Sequence, residues 1–506
     1  MNVRTAAELM RASVIAPTGA SVIEAPGAGM FDKEITGFSI DSRSVQPGEL
    51  FFALSPEDYA RHCFTATSFG DAHEFIPQAF ERGAIAAVGR LRNEFVRVEG
   101  DTASGAFKNR LLLVEDVIDA LQNVARGTVN KWGRIVVGIT GSAGKTTTKD
   151  IAAHLLRATG RRVLSSKKNF NNELGVPLSV LQMETAGARP EDFDVAVIEM
   201  GMSMPNEIAK LCEVAPPSVG VVLMVSPVHL EFLGTIENIA AAKAQMIENI
   251  KPGGTAVLNN DDERVAAMRA KHAGRTITFG IEKESEVMAS DIEMVRLGLS
   301  RFRLRTPLGE ADAELPMPGR HNLMNALAAA AVATTFDITP EQIAGALASC
   351  APSEMRGEVI NFAAGFTAID DSYNSNPRSL VGMARALAEG RDARTNRCIV
   401  VAGEMLEIGA ESAAMHREAG REIAGMKIDV LWGVRGHGRE LVEGAREAGM
   451  PAGAAKFFET SDEAAAALAG EMRAGDLVLV KGSRGVRTDK VVKLLRERYE
   501  KAEAKG

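Results

Sequence analysis

The chain has 506 residues, of which 46% are hydrophobic and 25% charged, and its net charge is −8. At about 150 residues per domain, this length predicts roughly three compact globular domains, and the negative charge argues against a nucleic-acid partner. Four separated cysteines without a CxxC pair argue against disulfides or a thiolate metal site, and no apolar run reaches the roughly 20 residues of a membrane span. We therefore expect a cytoplasmic protein without membrane insertion.

Residues 1–108 are predicted to form a small separate α/β domain. Short apolar runs such as "GELFFALS" and "AIAAVG" are interspersed with many turn residues. This part of the sequence contains no phosphate-binding loop.

From about Arg134 onward, short apolar runs recur, and each ends in a polar or small residue. Examples are "RIVVGITG", "DVAVIEMG", "VGVVLMVS", "GTAVLNNDD", "CIVVAGEM", "DVLWGVRG" and "DLVLVKGSRG". They are typical of buried parallel strands, and the stretches between them have helical spacing. This alternation predicts doubly wound α/β layers that bind ligands at the carboxyl ends of the strands.

A second domain boundary is predicted near "SCAPSEMRGE", which gives a central domain over 109–352 and a third domain over 353–506. The Ala-rich stretch "HNLMNALAAAAVATT" before it is interpreted as a buried helix. Coiled-coil heptads are absent from the sequence, so we expect a monomer.

The stretch "GITGSAGKTTTKD" follows a predicted strand and opens a predicted helix. In such a turn, backbone N–H groups and the helix N-terminus favour an anion. Lys145 would meet the β and γ phosphates of a nucleotide, and the hydroxyl of Thr146 would meet Mg²⁺. The alternative is an ordinary Gly-rich turn, which leaves Lys145 and the threonines unexplained.

Two further residues follow strands at the same predicted edge, and a third lies further on, in a predicted helix. Glu199 ends "DVAVIE" and would hold Mg²⁺, unless it serves as a helix cap or in a surface salt bridge. His229 in "SPVHLEF" is either structural or part of the metal site. For Lys243 in "NIAAAKAQMIENI", spacing alone favours a solvated surface lysine.

Several longer motifs accompany the loop. They are "DSRSVQPGELF", "KNFNNELGVPLSVL", "GRHNLMNALAAAAVA", "IDDSYNSNPRSL", "GEMLEIG" and "KGSRG". With a loop of the form T-G-x-x-G-K-T-T, the chain resembles the Mur ligase superfamily over nearly its whole length, and within it the D-alanyl-D-alanine-adding ligases. The loop positions are Thr140, Gly141, Ser142, Ala143, Gly144, Lys145, Thr146 and Thr147.

The resemblance implies a three-domain α/β fold: an N-terminal nucleotide-sugar domain, a central P-loop domain with a doubly wound sheet, and a C-terminal Rossmann-like domain. It implies an ATP-dependent ligase that activates the carboxylate of UDP-N-acetylmuramoyl-tripeptide as an acyl phosphate. D-Ala-D-Ala then attacks, in cytoplasmic peptidoglycan precursor synthesis.

The resemblance also implies two Mg²⁺ ions, one at Thr146 and Glu199 and the other at His229 and Lys243. A free ammonium group beside two cations would be repelled, and in the family the lysine at this place is carbamylated. Asn172 is implied as a polar contact near the reacting groups.

The remaining implied contacts fall into three sets. Ser42 and Arg43 would bind the uridine diphosphate. Adenine and ribose would be bound by Asn259, Asn322, Asn325, Arg356 and Asp371. The peptide and dipeptide would contact Tyr373, Asn374, His416, Lys481 and Ser483. Turn, cap, core and surface roles are the alternatives for these side chains.

The sequence departs from the family pattern in three places. "SPEDYARHCFTATSFGD" (55–71) intervenes before "AHEFI", Glu404 replaces the usual Asp, and "GSRGVRTDKVV" lacks a common Met-Glu pair. The first departure falls in the region of the nucleotide-sugar pocket, and the other two fall in the domain expected to bind the dipeptide.

Two rival interpretations stay open at this point. One is another ligase of the superfamily, either the enzyme adding the third residue or a folylpolyglutamate synthase, against which "DDSYNSNP" and "GEMLEIG" argue. The other is a P-loop switch or motor that forms no amide. The sequence does not assign the third peptide residue as diaminopimelate or lysine.

Overall fold

The structure is a computed structural model, and it describes residues 1–14, 29–64, 70–90, 110–167, 170–227 and 230–500. These residues form three sheets in which parallel strand pairs predominate. Among them, no helix is both long and apolar enough to cross a bilayer.

The strands are numbered in chain order. They are β1 (Ser13–Val14), β2 (Gly37–Ser39), β3 (Glu49–Phe52), β4 (Ala86–Arg90), β5 (Leu111–Val114), β6 (Ile135–Thr140), β7 (Val163–Ser165), β8 (Val195–Glu199), β9 (Val219–Val222), β10 (Thr255–Asn259), β11 (Arg275–Gly280), β12 (Val287–Arg296), β13 (Leu299–Thr306), β14 (Gly309–Leu315), β15 (Glu358–Asn361), β16 (Thr367–Asp371), β17 (Cys398–Gly403), β18 (Val430–Val434), β19 (Ala455–Phe458) and β20 (Leu477–Lys481).

The α-helices are numbered in the same way. They are α1 (Val3–Met10), α2 (Pro56–Arg61), α3 (Ile76–Glu81), α4 (Val117–Trp132), α5 (Lys145–Ala158), α6 (Gly175–Val180), α7 (Glu207–Val214), α8 (Leu230–Leu233), α9 (Ile236–Glu248), α10 (Glu263–Ala267), α11 (Arg320–Thr334), α12 (Pro340–Leu347), α13 (Pro377–Glu389), α14 (Ser412–Ala424), α15 (Gly438–Glu447), α16 (Ser461–Glu471) and α17 (Asp489–Tyr499).

The chain packs as two compact units, the first made of Met1–Ile139, Gly160–Gly220 and Glu248–Gly254. Its N-terminal sheet has the order β1-β5-β4-β3-β2, with only the β1–β5 pair antiparallel. Apolar side chains such as Phe51 and Phe80 bury one face of this sheet. In the same unit, β8 pairs in parallel with both β6 and β7.

The second unit comprises Thr140–Thr159, Val221–Ile247 and Thr255–Gly506. Strands β10 and β11 pair in parallel, and β12, β13 and β14 continue as an antiparallel ribbon. The strands of this part of the second unit have the order β14-β13-β12-β11-β10. Helix α11 is buried along most of its length, as the Ala-rich stretch predicted.

The C-terminal sheet, also in the second unit, has the order β15-β16-β20-β17-β18-β19. Only the edge pair β15–β16 is antiparallel. Apolar clusters cover both faces, one containing Leu380, Met383 and Leu441, and the other containing Trp432, Phe366 and Leu495. A parallel sheet covered on both faces is the doubly wound arrangement predicted for this domain.

The predicted α/β fold is confirmed, and each apolar run quoted from Arg134 onward forms a buried strand. The ribbon β12–β14 was not predicted, because its strands alternate exposed charged residues with buried ones and lack a continuous apolar run. The domain boundaries near 108 and 352 stay predictions, and the first lies outside the described residues.

Candidate functional site

The phosphate-loop motif forms the predicted turn between a strand and a helix. Helix α5 begins at Lys145, and its N-cap residue Gly144 is left-handed and supplies no side-chain cap. The Lys145 ammonium donates to the Gly141 carbonyl at 2.8 Å. The partial positive charge of a helix N-terminus and this ammonium group favour an anion at this position.

The segment after β9 supports the loop from one side. The Ser142 N–H donates to the Met224 carbonyl at 2.9 Å. Its hydroxyl donates to the Ser226 carbonyl at 3.2 Å and accepts from the Ser226 N–H at 2.9 Å. These bonds fix the backbone of the loop before any ligand is considered.

Asn325 on α11 packs against the loop at Gly144. A Cβ at Gly144 would lie 2.2 Å from the Asn325 side-chain oxygen, and Gly144 has φ +83°. That oxygen also accepts from the Thr148 hydroxyl at 3.4 Å. Both the conformation and the close approach therefore require glycine here.

We expect Gly144→Ala to lower the free energy of unfolding by more than Gly160→Ala does. Gly160 has nearly the same conformation, φ +82°, but its Cβ would meet open space. The control should cost about 1–2 kcal/mol for the left-handed backbone, and Gly144→Ala about 1–3 kcal/mol more for the clash. Denaturant unfolding of both variants measures the difference. Equal decreases in the free energy of unfolding would show that a Cβ at position 144 does not clash with Asn325.

Lys243 lies on α9 and is only 2% exposed, so the solvated surface lysine favoured by spacing is wrong. Burial lowers the pKa of its ammonium group well below the usual value, and the nearby charge of Lys145 lowers it further. The lysine is therefore disposed to be a neutral amine beside the phosphate loop.

Glu199 ends strand β8, where the register pairs it with Ile139, the residue before Thr140. The side chain is buried, and its carboxylate accepts from the Asn171 amide at 2.7 Å. A surface salt bridge is thereby excluded. The side-chain oxygen of Asn172 accepts from the N–H groups of Leu174 and Gly175, and the contact of Asn172 with the reacting groups stays a prediction.

Asn259 and Asn322, two more of the predicted adenine and ribose contacts, are buried as well. Asn259 donates to the Leu223 carbonyl at 2.7 Å, and Asn322 donates to the Pro318 carbonyl at 2.8 Å. Asn325 in turn donates to the side-chain oxygen of Asn322 at 3.3 Å. The three asparagines thus have supporting hydrogen bonds of their own, and their contacts with a nucleotide stay predictions.

In the C-terminal domain, polar residues gather where β16 and β20 end. Lys481 donates to the Asp371 carboxylate at 2.6 Å and to the Asn374 carbonyl at 2.9 Å. The Arg356 guanidinium lies over the Tyr373 ring at 4.1 Å. The structure therefore brings these five predicted residues together.

His416 and Ser483 serve the neighbouring loop. His416 is fully buried, with Nε2 accepting from the Met405 N–H at 2.9 Å and Nδ1 lying 2.7 Å from the Ser412 carbonyl. The Ser483 hydroxyl accepts from the Leu406 N–H at 3.0 Å. This geometry favours an orienting role for both side chains, and their substrate contacts stay predictions.

The side chain of Glu404 also has a structural role. Its carboxylate accepts from the His437 N–H at 3.1 Å, next to the start of α15. A Cβ at Gly436, which has φ +46°, would lie 2.2 Å from that carboxylate. Here Glu404 is thus committed to the turn before α15.

The N-terminal candidates lie after β2. Ser42 is buried, and its hydroxyl donates to Gln78 at 2.9 Å. The Arg43 side chain is 81% exposed and pairs with Asp41 at 2.8 Å. An exposed arginine is available to a phosphate group. His229 lies outside the described residues, so its position relative to these groups is not part of the site geometry.

Two residues of this region were not predicted. Asn171, rather than Asn172, bonds Glu199, and the doubled asparagine of the motif was the available signal. His321 at the start of α11 is partly buried, and desolvation of its ring lowers its pKa to about 4. Its imidazole is therefore neutral near pH 7, and its place beside two predicted asparagines in "GRHNLMN" was the signal.

Comparisons with known proteins show the family to which the chain belongs. The "Mur ligase middle domain" family matches residues 139–333, and the "Mur ligase, glutamate ligase domain" family matches residues 355–484. The UDP-N-acetylmuramoyl-tripeptide–D-alanyl-D-alanine ligase of Bacillus subtilis is 32% identical over 463 residues, which are 92% of this chain and 93% of that protein.

Two solved structures have the same fold. The crystal structure of MurF from Acinetobacter baumannii matches with a TM-score of 0.81 and 26% identity over 98% of both chains. The MurF ligase of Thermotoga maritima in complex with ADP matches with a TM-score of 0.76 and 27% identity, over 92% of this chain and 98% of that one.

The two family matches, one over the P-loop region and one over the doubly wound C-terminal region, place the chain in the class of Mur ligases. Within that class, the chain belongs to the UDP-N-acetylmuramoyl-tripeptide–D-alanyl-D-alanine ligase family, MurF. The predicted resemblance is thereby confirmed.

Proposed function

We propose that this chain is an ATP-dependent ligase that joins D-Ala-D-Ala to UDP-N-acetylmuramoyl-tripeptide. A terminal carboxylate oxygen of the tripeptide attacks the γ-phosphorus of ATP, and ADP leaves. The D-Ala-D-Ala amine then attacks the acyl carbon of the acyl phosphate, and the amine proton and phosphate leave. The products are UDP-N-acetylmuramoyl-pentapeptide, ADP and phosphate, as peptidoglycan precursor synthesis requires.

One observation carries the proposal. A MurF relative aligns with 92% of this chain at 32% identity, so the likeness includes the substrate domains as well as the nucleotide loop. This extent of similarity disfavours a P-loop switch or motor, because a protein that shared only the nucleotide-binding loop would not be similar to this chain over the third domain. It also favours the dipeptide-adding ligase over the other ligases of the superfamily.

The chemical obstacle is the approach of two anions, the attacking carboxylate and the γ-phosphoryl group. Lys145 would compensate the charge that develops on the phosphoryl oxygens, because a fixed cation costs no reorganisation when the reaction occurs. The N–H groups at the start of α5 would add to this field.

Two Mg²⁺ ions would supply further charge compensation to the phosphates. Thr146 and Glu199 would hold one ion, and His229 and Lys243 the other. Lys243 fits its role as a carbamyl-lysine, because carbamylation by CO₂ needs the neutral amine that burial and Lys145 favour. Glu199 fits as well, since its carboxylate is buried and oriented by Asn171.

The other contacts extend this proposal to the substrates. Asn259, Asn322 and Asn325 would bind adenine and ribose together with Arg356 and Asp371. Tyr373, Asn374, His416, Lys481 and Ser483 would lie along the peptide and dipeptide path. Because Asp371 now accepts from Lys481, ribose binding would compete with this ion pair.

We further propose that the protein acts as a cytoplasmic monomer with small-molecule substrates. Its predicted substrates, ATP, D-Ala-D-Ala and the UDP-tripeptide, are small molecules, and the net charge of −8 gives no reason to expect a nucleic-acid partner. The domain division at 108 and 352 is part of the same proposal.

The test is an ADP-release assay with each substrate omitted in turn. We expect turnover only with ATP, D-Ala-D-Ala and a UDP-muramoyl-tripeptide together. Parallel assays with the diaminopimelate and lysine tripeptides identify the third residue. ATP hydrolysis that ignores both peptide substrates would instead support a switch or motor.

Arg43→Ala is expected to raise the KM for the UDP-tripeptide by about 10- to 100-fold, since a lost charged hydrogen bond costs about 1.5–3 kcal/mol. The KM for ATP should not change, because Arg43 would contact only the uridine diphosphate. Arg11→Ala, an exposed arginine of the N-terminal region, is the control. An equal rise in both KM values would indicate a general loss of structure.

A further inference from the structure

Helix α2 follows Ser55 and is fixed to the start of α4. Asp58 is fully buried, and one carboxylate oxygen accepts from the N–H and hydroxyl of Ser55 at 2.8 and 2.6 Å. Its other oxygen accepts from Arg90 at 2.8 Å and from the Val117 N–H at 3.1 Å. The helix is therefore held in a defined place.

His62 follows α2 directly and is surrounded by carboxylates. Its Nδ1 bonds the Glu173 carboxylate, and its Nε2 lies 3.3 Å from Asp116 and 3.6 Å from Asp119. His62, Asp116 and Glu173 are all buried. Glu173 also accepts from Lys210 at 3.0 Å.

The same side chains have the spacing of a metal site, since His62, Asp116 and Asp119 offer ligand atoms within 4.8 Å of one another. The local charges favour a protonated His62 at this place instead of a metal ion. Four carboxylates, those of Asp58, Asp116, Asp119 and Glu173, face three fixed cations, those of Arg61, Arg90 and Lys210. An imidazolium at His62 completes the balance without a metal.

The protonation state of His62 agrees with this balance. Burial lowers its pKa, but the hydrogen bonds and charges of Asp116 and Glu173 outweigh burial and raise the pKa to about 9. A protonated imidazole has no lone pair for a metal and donates from both nitrogens. His62 thus acts as a buried cation that bonds carboxylates on two sides.

The bond from His62 to Glu173 leads to the candidate phosphoryl-transfer site. Asn171 lies two residues before Glu173 and donates to Glu199 at 2.7 Å. The Asn171 carbonyl accepts from the Gly201 N–H at 2.7 Å, and Asn172 caps the backbone at Leu174 and Gly175. The short segment from 171 to 173 is therefore held at its end by His62 and at its start by the strand that carries Glu199.

We propose that His62 is a positioning residue for the ligase reaction: by holding Glu173, it fixes the segment 171–173 so that Asn171 orients the Glu199 carboxylate. This inference rests on the proposed role of Glu199 in binding Mg²⁺. Groups that orient metal ligands typically change metal affinity or activity by about 10–100-fold when they are removed.

The test measures the Mg²⁺ concentration for half-maximal ligase activity in the full-length enzyme. We expect His62→Ala to raise it by about tenfold, while the KM for D-Ala-D-Ala changes less than about twofold. His62→Gln, which can still donate to Glu173, should recover part of the loss. The double variant His62→Ala/Glu173→Ala should need no more Mg²⁺ for half-maximal activity than Glu173→Ala alone, because both substitutions act through the Glu173 carboxylate.

Arg61→Ala is the matched control, because Arg61 adjoins His62, is 58% exposed and lies 3.8 Å from Asp116. It should leave the Mg²⁺ dependence unchanged. Thermal unfolding of every variant confirms that the assays use folded protein. If His62→Ala is unfolded, the same comparison is made with Glu173→Ala, which removes the carboxylate that His62 holds, and an unchanged Mg²⁺ dependence in that folded variant overturns the proposal.

Three further outcomes would contradict the inference. A normal Mg²⁺ dependence in folded His62→Ala overturns it while leaving the proposed function intact, provided that Glu199→Gln still shifts that dependence. If Glu199→Gln shifts nothing, the proposed metal role and this inference fail together. A metal found in the purified wild-type enzyme by elemental analysis, and lost in His62→Ala, would show that the cluster is a metal site.

Discussion

Phosphate release by Lys145→Ala is expected to fall by roughly 10³-fold or more, which is close to abolition. The substitution removes the ammonium group at the start of α5 and leaves the γ-phosphate charge under-compensated. Because Lys145 bonds a backbone carbonyl of its own loop, the variant should fold. Single-turnover phosphate release with all three substrates measures the loss.

Arg157→Ala is the control for that experiment, since Arg157 is exposed in the last turn of the same helix. It should turn over normally. Near-normal turnover by Lys145→Ala would instead show that the loop is not part of the active site.

Lys243→Ala is expected to lose about 100-fold in activity, because a ligand of the second Mg²⁺ would be gone. Added formate or acetate should restore part of it, since a free carboxylate can fill the vacated place. Lys243→Arg should be inactive without recovery, because its permanent cation occupies that place. Ligase assays across a carboxylate series measure the rescue.

Two results would oppose this account of Lys243. Full activity of Lys243→Ala without additive would show that the buried lysine has no part in catalysis. Equal rescue of Lys243→Ala and Lys243→Arg would show that the carboxylate acts elsewhere. Depletion of CO₂ should also lower wild-type activity, since carbamylation is reversible.

Much of the fold could be predicted, because buried parallel strands leave continuous apolar runs in the sequence. The ribbon β12–β14 could have been found by another signal, the alternation of Arg301, Arg303 and Arg305 with the buried Phe302 and Leu304. A search for continuous apolar runs misses such strands, since only one face is buried.

Lys243 shows how a site residue can be misjudged from spacing. It shares one helical stripe with the buried residues Ile239 and Met246, four positions before it and three after it. A lysine within an apolar stripe is itself a signal, because burying its charge needs a reason. That pattern predicts burial without reference to any family.

The contacts of His62 were beyond prediction for a physical reason. Glu173 lies 111 residues away along the chain, and no local pattern specifies such a pairing. The same limit applies to Asn171, because its choice over Asn172 as the partner of Glu199 depends on how the loop packs against β8.

The most direct test of the central claim follows one oxygen atom. The tripeptide carboxylate is labelled with ¹⁸O, and the phosphate from a single turnover with ATP and D-Ala-D-Ala is analysed by mass spectrometry. If a carboxylate oxygen attacks the γ-phosphorus, and the acyl C–O bond then breaks as the amide forms, each phosphate carries one oxygen from the labelled carboxylate. Unlabelled phosphate, or label found in AMP, would contradict the acyl phosphate and with it the proposed ligase mechanism.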